Sequence, residues 1–278
     1  MAEQPQHHDD PAAAAEGGGP PLVRRTTERG IAVLTLDSPA NRNALSARLR
    51  ADLAAEFAAA LEDGAVRAVL LTGTGPAFCA GADLKEIAAD RAGNPPPVSA
   101  PGMPELFGAV LEAPKPVVAK LNGPARAGGI GLVAAADIAI APEDATFAFT
   151  EVRIGVIPAI ISVPVAARMH DRQLARYFLT GETFDAAEAA AAGLVTSAVP
   201  RADLDSATEA VLDGFRAAAP QALSATKELL SRAGAVVPGE RAAELGRMAE
   251  LSAEYFAGDD AAEGRTAFLE KRRPKWVL

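Results

Sequence analysis

Two glycine-rich loops, each entered directly from a short apolar run, leave this chain few folds to choose from. Residues 68–72 lead into the loop 73–83, and residues 117–121 lead into the loop 122–131. Aliphatic and β-branched runs bounded by glycine and asparagine read as strands, and the residues after each loop take helical spacing. Strand, loop and helix repeated in that order predict an α/β fold with its loops gathered at one edge of the sheets. Upstream, residues 23–27 and 31–36 read as two further strands, with Glu28, Arg29 and Gly30 as a hairpin turn. An amphipathic helix is expected next. Ser46 is placed to cap it, Leu49, Leu53, Phe57 and Leu61 recur every fourth residue, and Asp63-Gly64 ends it.

The rest of the chain divides by composition. Residues 1–20 mix Gln, His, Asp, Ala, Gly and Pro without hydrophobic period and predict a disordered leader. Residues 21–200 carry the α/β pattern. Residues 201–278 are alanine-rich, with helices expected at 202–217, 220–233, 239–256 and 260–271. Within the core, residues 90–103 hold Pro95, Pro96, Pro97 and Pro101, which fit neither a helix nor a central strand; a flap beside a site and a plain surface loop are both open. Pro158 and Pro164 make residues 154–165 a turn followed by a short buried helix.

Composition excludes several classes of function. The lone Cys79 permits no disulfide within one chain, which points to a reducing, cytoplasmic setting. With 27 basic and 36 acidic residues the net charge is −9, against a non-specific nucleic-acid surface. The longest apolar stretch, 127–141, is interrupted by Asp137 and falls short of the roughly 20 residues of a membrane span. Acidic Glu3, Asp9 and Asp10 stand where a secretory signal would be basic and apolar. No metal site is expected: His7 and His8 fall in the leader, and the ordered part keeps one cysteine and one histidine, His170, which is expected within a helix in a structural role. A dinucleotide fingerprint after Gly73-Thr74-Gly75 fails, because Phe78 occupies the place of its third glycine.

What remains is main chain. Small residues at 78–83 (FCAGAD) and 127–131 (AGGIG) let N–H groups approach a ligand oxygen, and the second loop opens a helix expected over 129–136. Two N–H donors converging on one carbonyl would form an oxyanion hole; the same glycines would equally serve tight turns, and composition does not separate the two.

Five ordered motifs carry a resemblance: NRNAL at 41–45, AFCAGADLKE at 77–86, NGPARAGGIGLVAAADI at 122–138, FAFTEVRIGVIP at 147–158 and AFLEKR at 267–272. Over about residues 22–278 the chain resembles the enoyl-CoA hydratase/isomerase, or crotonase, superfamily. The resemblance implies a crotonase-like α/β spiral of ββα turns in two sheets, with a C-terminal helical segment that packs homotrimers or hexamers. It implies an acyl-CoA substrate, with coenzyme A as carrier and no separate cofactor. Backbone N–H groups of Ala82 and Gly128 would form the oxyanion hole. Asn43, Ala44, Leu45, Ala80, Asp83, Leu84, Lys85, Ala127 and Thr150 would line the acyl-CoA path, and Phe268 and Lys271 would reach the adenine end from a neighbouring subunit. Positive charge for the CoA phosphates would come from Arg42, Lys85, Lys271, Arg272, Arg273 and Lys275.

Hydratases of the family commonly use two glutamates. The later one is matched by Glu151, flanked by Phe147, Phe149, Val152 and Ile154; the earlier position falls on Gly131, which has no side chain. One general acid/base then suits either an enoyl-CoA hydratase that adds water to a 2-enoyl thioester or a 3-enoyl to 2-enoyl isomerase. A weakly catalytic acyl-CoA binder is the third reading. Arg153 could meet a substrate carboxylate or serve as an ion-pair partner, and Cys79 is read as packing.

Overall fold

The computed structural model describes residues 19–232 and 258–278, without the side chains at 231, 232, 265, 268 and 269. The expected leader up to residue 18 and the helix expected at 239–256 lie outside the described residues. Strands β1 (Val23–Glu28) and β2 (Ile31–Leu36) pair antiparallel through Arg29-Gly30, both with positive φ (46° and 76°), the geometry of a tight hairpin turn. Helix α1 (Ala47–Glu62) starts at Ser46, whose hydroxyl accepts from Leu49 N, and buries Leu49, Leu53 and Phe57. It returns the chain to β3 (Ala68–Gly73), parallel to β2.

The first glycine loop then leads to α2 (Leu84–Arg91). Eleven residues without regular structure separate it from α3 (Met103–Leu111), which closes the segment. The second loop runs from β4 (Val117–Lys120) through the short β5 (Ala125–Arg126) into α4 (Gly128–Ala135). The chain continues through β6 (Ile138–Pro142), β7 (Thr146–Ala148), α5 (Ala159–Ala166), α6 (Asp171–Thr180), β8 (Thr183–Asp185), α7 (Ala186–Ala191) and β9 (Ser197–Val199). Helices α8 (Leu204–Ala217), α9 (Pro220–Arg232) and α10 (Asp259–Glu270) complete the described part.

Two sheets result. The larger has the order β1-β2-β3-β4-β6-β9, parallel except for the β1–β2 hairpin; the smaller has the order β5-β7-β8. The alternation of β3 and β4 divides the core between two faces. Val69, Leu71, Val117 and Ala119 pack with Leu49, Leu53 and Phe57 of α1. Leu70 and Val118 point the other way, onto Leu212 of α8. Helix α8 is also clamped to the hairpin, since Arg216 donates to Arg29 O and pairs with Glu209 and Asp213 at 2.6 Å. Helix α9 is held by an ion pair from buried Lys227 to half-buried Asp137 at 2.8 Å, whose carboxylate also accepts from Val117 N.

Three details differ from the sequence expectation. Helix α4 begins at Gly128, one residue earlier than expected, so Gly128 N–H belongs to the orphan donors of a helix start. Helix α5 is only partly buried: Ile161, Pro164 and Val165 face inward, whereas Ile160 and Val163 are exposed. His170 is not inside a helix but at the N-cap of α6.

Candidate active site

The two glycine loops lie directly against each other. Leu45 N donates to Gly81 O at 2.7 Å, Ala80 N to Arg42 O at 3.0 Å and Arg126 N to Cys79 O at 3.0 Å, so the first loop is stitched to segments on both its sides. Glycine is required at two points by measurable proximity. A Cβ on Gly81, whose φ is +86°, would stand 2.8 Å from Arg126 O and 3.0 Å from Gly128 N. A Cβ on Gly129 would stand 2.8 Å from the Cβ of Cys79. Only residues without a side chain permit the first loop to reach the start of α4.

This contact places Gly81, the residue before Ala82, against the Gly128 amide. Ala82 follows Gly81 and sits at an isolated parallel bridge with Leu45, while Gly128 opens α4. Among the described residues neither amide donates to a protein acceptor. Ala127, just before Gly128, takes an unusual conformation (φ 46°, ψ −120°), which turns the chain sharply from β5 into α4 as its N–H is held by Ala148 O. Two free donors, one at a helix start, can stabilise negative charge on an oxygen placed between them, each worth roughly 3 kcal/mol in a transition state.

Glu151 enters from the neighbouring strand. β5 and β7 are parallel, with Ala125 opposite Phe147 and Arg126 opposite Ala148. Gly128 lies two residues beyond the end of β5 and Glu151 three beyond the end of β7, so the amide and the carboxyl leave the same sheet edge. Thr150 precedes the 3-10 turn Glu151–Ile154 and is half-buried. Burial pushes the Glu151 carboxyl above the ordinary glutamate range, a hydrogen bond with its own backbone offsetting part of this, and its buried Oε2 has no partner. Upstream of it, Phe147 and Phe149 enter an aromatic cluster with Tyr177, Phe178 and Phe184, the Phe149 and Phe178 rings meeting edge-on at 4.6 Å. Val152 and Ile154 are exposed and shield less than their apolar character suggested.

The other expected residues divide into structural and accessible groups. Asn43 is fully enclosed, its amide donating to Thr74 O, Ala77 O and Phe78 O while Ser38 N donates to its Oδ1; it shapes the loop from within. Ala44 and Leu45 are also buried. Asp83 caps α2 by accepting from Lys85 N and Glu86 N, and receives Asn41 Nδ2 as well. Ala80 and Ala127 are half-buried, whereas Leu84, Lys85 and Lys271 are exposed. Of the C-terminal cations, Arg272 is occupied by Glu263 and Glu270. The Phe268 side chain lies outside the described residues. Arg153 donates to Thr180 O and packs on Gly181, a structural contact. Cys79 is buried and its thiol is pushed up to about 12 by desolvation, which removes it as a nucleophile at neutral pH.

The earlier glutamate position has a specific occupant. A Cβ on Gly131 would meet Phe107 Cζ at 2.6 Å, Phe107 Cε2 at 2.8 Å and Ile161 Cγ2 at 3.0 Å. The aromatic ring of α3 thus sits where a side chain at 131 would begin. Sequence reading missed Phe107, since nothing in the spacing of 103–111 tells which side of α4 that helix crosses.

Residues 26–277 match the Enoyl-CoA hydratase/isomerase family. The chain belongs to this family. A Rhodobacter capsulatus protein named as a probable enoyl-CoA hydratase is 36% identical over 256 residues, which cover 92% of this chain and 97% of that one. The crystal structure of an enoyl-CoA hydratase/isomerase from Marinobacter aquaeolei is similar with a TM-score of 0.83 at 33% identity, covering 92% and 99% of the two chains. That of an enoyl-CoA hydratase from Mycobacterium avium is 43% identical with a TM-score of 0.67, covering 92% and 98%. The crotonase fold expected from the five motifs is therefore the fold of this chain. Among the described residues no helix is long and apolar enough to cross a membrane, and no group of three His, Cys, Asp or Glu could hold a metal ion.

Proposed function

We propose that this family member adds water reversibly to a 2-enoyl-CoA thioester, using the Ala82 and Gly128 amides to polarise the carbonyl and Glu151 as its single acid/base. The observation that carries the reading is the half-buried carboxyl of Glu151, whose Oε2 has no partner, leaving the same sheet end as the undonated Gly128 amide. In the hydration direction the thioester oxygen gains negative charge as water attacks the β-carbon. Glu151 takes the proton of the water and returns it to the α-carbon, so one carboxyl serves twice and ends as it began. A carboxyl held above its ordinary range gives up and takes back a proton at neutral pH more readily than a solvated one. The CoA path runs past Ala80, Leu84 and Lys85, where Lys85 is free of any ion pair among the described residues and able to meet phosphate.

Movement of a proton between two carbons of a 3-enoyl thioester is the second reading. The ring of Phe107 over Gly131 favours it, since that side of the site offers no carboxylate to hold water. Purified protein incubated with crotonyl-CoA and, separately, with a 3-enoyl-CoA decides between them by absorbance of the conjugated thioester. Loss of conjugation in the first with no change in the second supports hydration. Gain of conjugation in the second alone replaces hydration by isomerisation, and silence in both leaves an acyl-CoA binder.

A further inference from the structure

Helix α3 lies along the first turn of α4 with one face. Met103 and Phe107, four residues apart and hence on the same side, touch successive points of that turn: Met103 Cε would be 3.4 Å from a Cβ on Gly128, and Phe107 Cζ 2.6 Å from one on Gly131. The start of α3 is fixed to the oxyanion loop, because Arg50 donates from Nε to Pro101 O (3.0 Å) and from its terminal nitrogen to Leu45 O (2.7 Å), and Leu45 is the bridge partner of Ala82. Ile161 of α5 closes on Gly131 from the other side. Phe107 and Ile161 are both buried, so the closure is a packed wall and not a loose surface group.

From these contacts we infer that Phe107 determines which acyl groups the site accepts, and that it restricts them to short chains. The inference rests on the acyl-CoA reading under Proposed function. Gly128 supplies the amide for the thioester oxygen, and Gly131 lies three residues further along the same helix, an axial rise of about 4.5 Å. An acyl chain running from the carbonyl along α4 meets the Phe107 ring and the Ile161 methyl at that point. The wall exists because residue 131 is glycine: any side chain there would displace the ring, and the ring in turn excludes any side chain. Gly131 and Phe107 are one device, in which an apolar stop replaces the earlier carboxylate.

Saturated thioesters test this without turnover, since they hold no double bond to hydrate or shift. Affinities of butyryl-CoA and octanoyl-CoA are to be measured by titration calorimetry for the full-length protein, Phe107→Ala and Phe107→Leu. The expected result is a rise of about tenfold in the octanoyl to butyryl affinity ratio for Phe107→Ala, with a smaller rise in the same direction for Phe107→Leu. An unchanged ratio in variants that still bind butyryl-CoA overturns the inference and leaves the proposed function standing. Failure of every form to bind either thioester overturns both, whereas binding without turnover of any enoyl-CoA overturns hydration and isomerisation but not the role of Phe107. The packing itself is read by thermal unfolding. Gly131→Ala is expected to lower Tm in the parent and to lower it distinctly less in a Phe107→Ala background, where only the 3.0 Å approach of Ile161 Cγ2 remains; an equal loss in both would show that the ring does not sit on Gly131.

Discussion

The two halves of the site are built in opposite ways. The glycine loops at 78–83 and 125–131 are buried or half-buried, locked by main-chain hydrogen bonds and packed so closely that Gly81 and Gly129 admit no side chain. The segment that carries Glu151 is a single 3-10 turn followed by exposed Val156 and Ile157, with Ile157 76% accessible. The groups that would stabilise charge are thus rigid backbone held from both sides, and the group that would move a proton is one side chain on a lightly packed turn. Charge stabilisation gains from donors that need no reorganisation, whereas a proton carrier must serve two positions in turn. The difference also separates stability from chemistry: damage to the loops should destabilise the protein, and damage to the turn should only silence it.

The largest effect is expected from Gly129→Ala. Its methyl meets the main chain and Cβ of Cys79, where backbone cannot step aside, so thermal unfolding should show a loss at the upper end of the roughly 1–3 kcal/mol typical of overpacking, and activity should fall with it. Unchanged Tm would mean that the loops are not in contact. Next, Glu151→Gln should lower kcat on an enoyl-CoA about 10²- to 10⁴-fold while leaving acyl-CoA affinity and the fold intact. Retained turnover would remove Glu151 from the mechanism.

A smaller effect concerns pH. The native Glu151 pKa is raised, so ionising this group opposes folding. Its contribution to stability is fully present below the unfolded glutamate pKa and is lost as pH rises through the higher native value. Glu151→Gln should therefore raise Tm relative to the parent at pH 8 and leave it nearly unchanged at pH 4; the reverse order would show that the carboxyl is stabilised as an anion. The smallest effect is expected for Arg153→Ala, which loses an exposed hydrogen bond to Thr180 O and should stay within about 0.5 kcal/mol of the parent, with KM for crotonyl-CoA unaltered. A marked rise in KM would return Arg153 to the substrate.

Local signals in the sequence translated well into elements where one interaction decides the outcome. Ser46 caps α1 because its hydroxyl reaches Leu49 N, and Arg29-Gly30 turns the first hairpin because both residues take positive φ. Legibility fell where burial is set by distant elements. Residues 154–165 are largely apolar, yet Ile160 and Val163 are exposed, since nothing local tells which face of α5 has a neighbour. Asn43 lies in a motif that suggests contact with a ligand, but its amide is consumed by three carbonyls of a loop 31 to 35 residues away. The C-terminal cations likewise read as phosphate partners, while Arg272 is held by Glu263, nine residues before it.

The α/β character, the family, the glycine loops and the single glutamate are all legible in the sequence, because strand period, turn chemistry and ordered motifs are written in consecutive residues. Three further properties came from packing: the two loops meet, Oε2 of Glu151 is left without a partner, and an aromatic ring fills the place above Gly131. The two that involve glycine depend on contacts between residues far apart in the chain: 81 with 128, and 131 with 107 and 161. A glycine in a sequence is an absence of side chain; which group takes up the space it leaves is settled only when the helices pack.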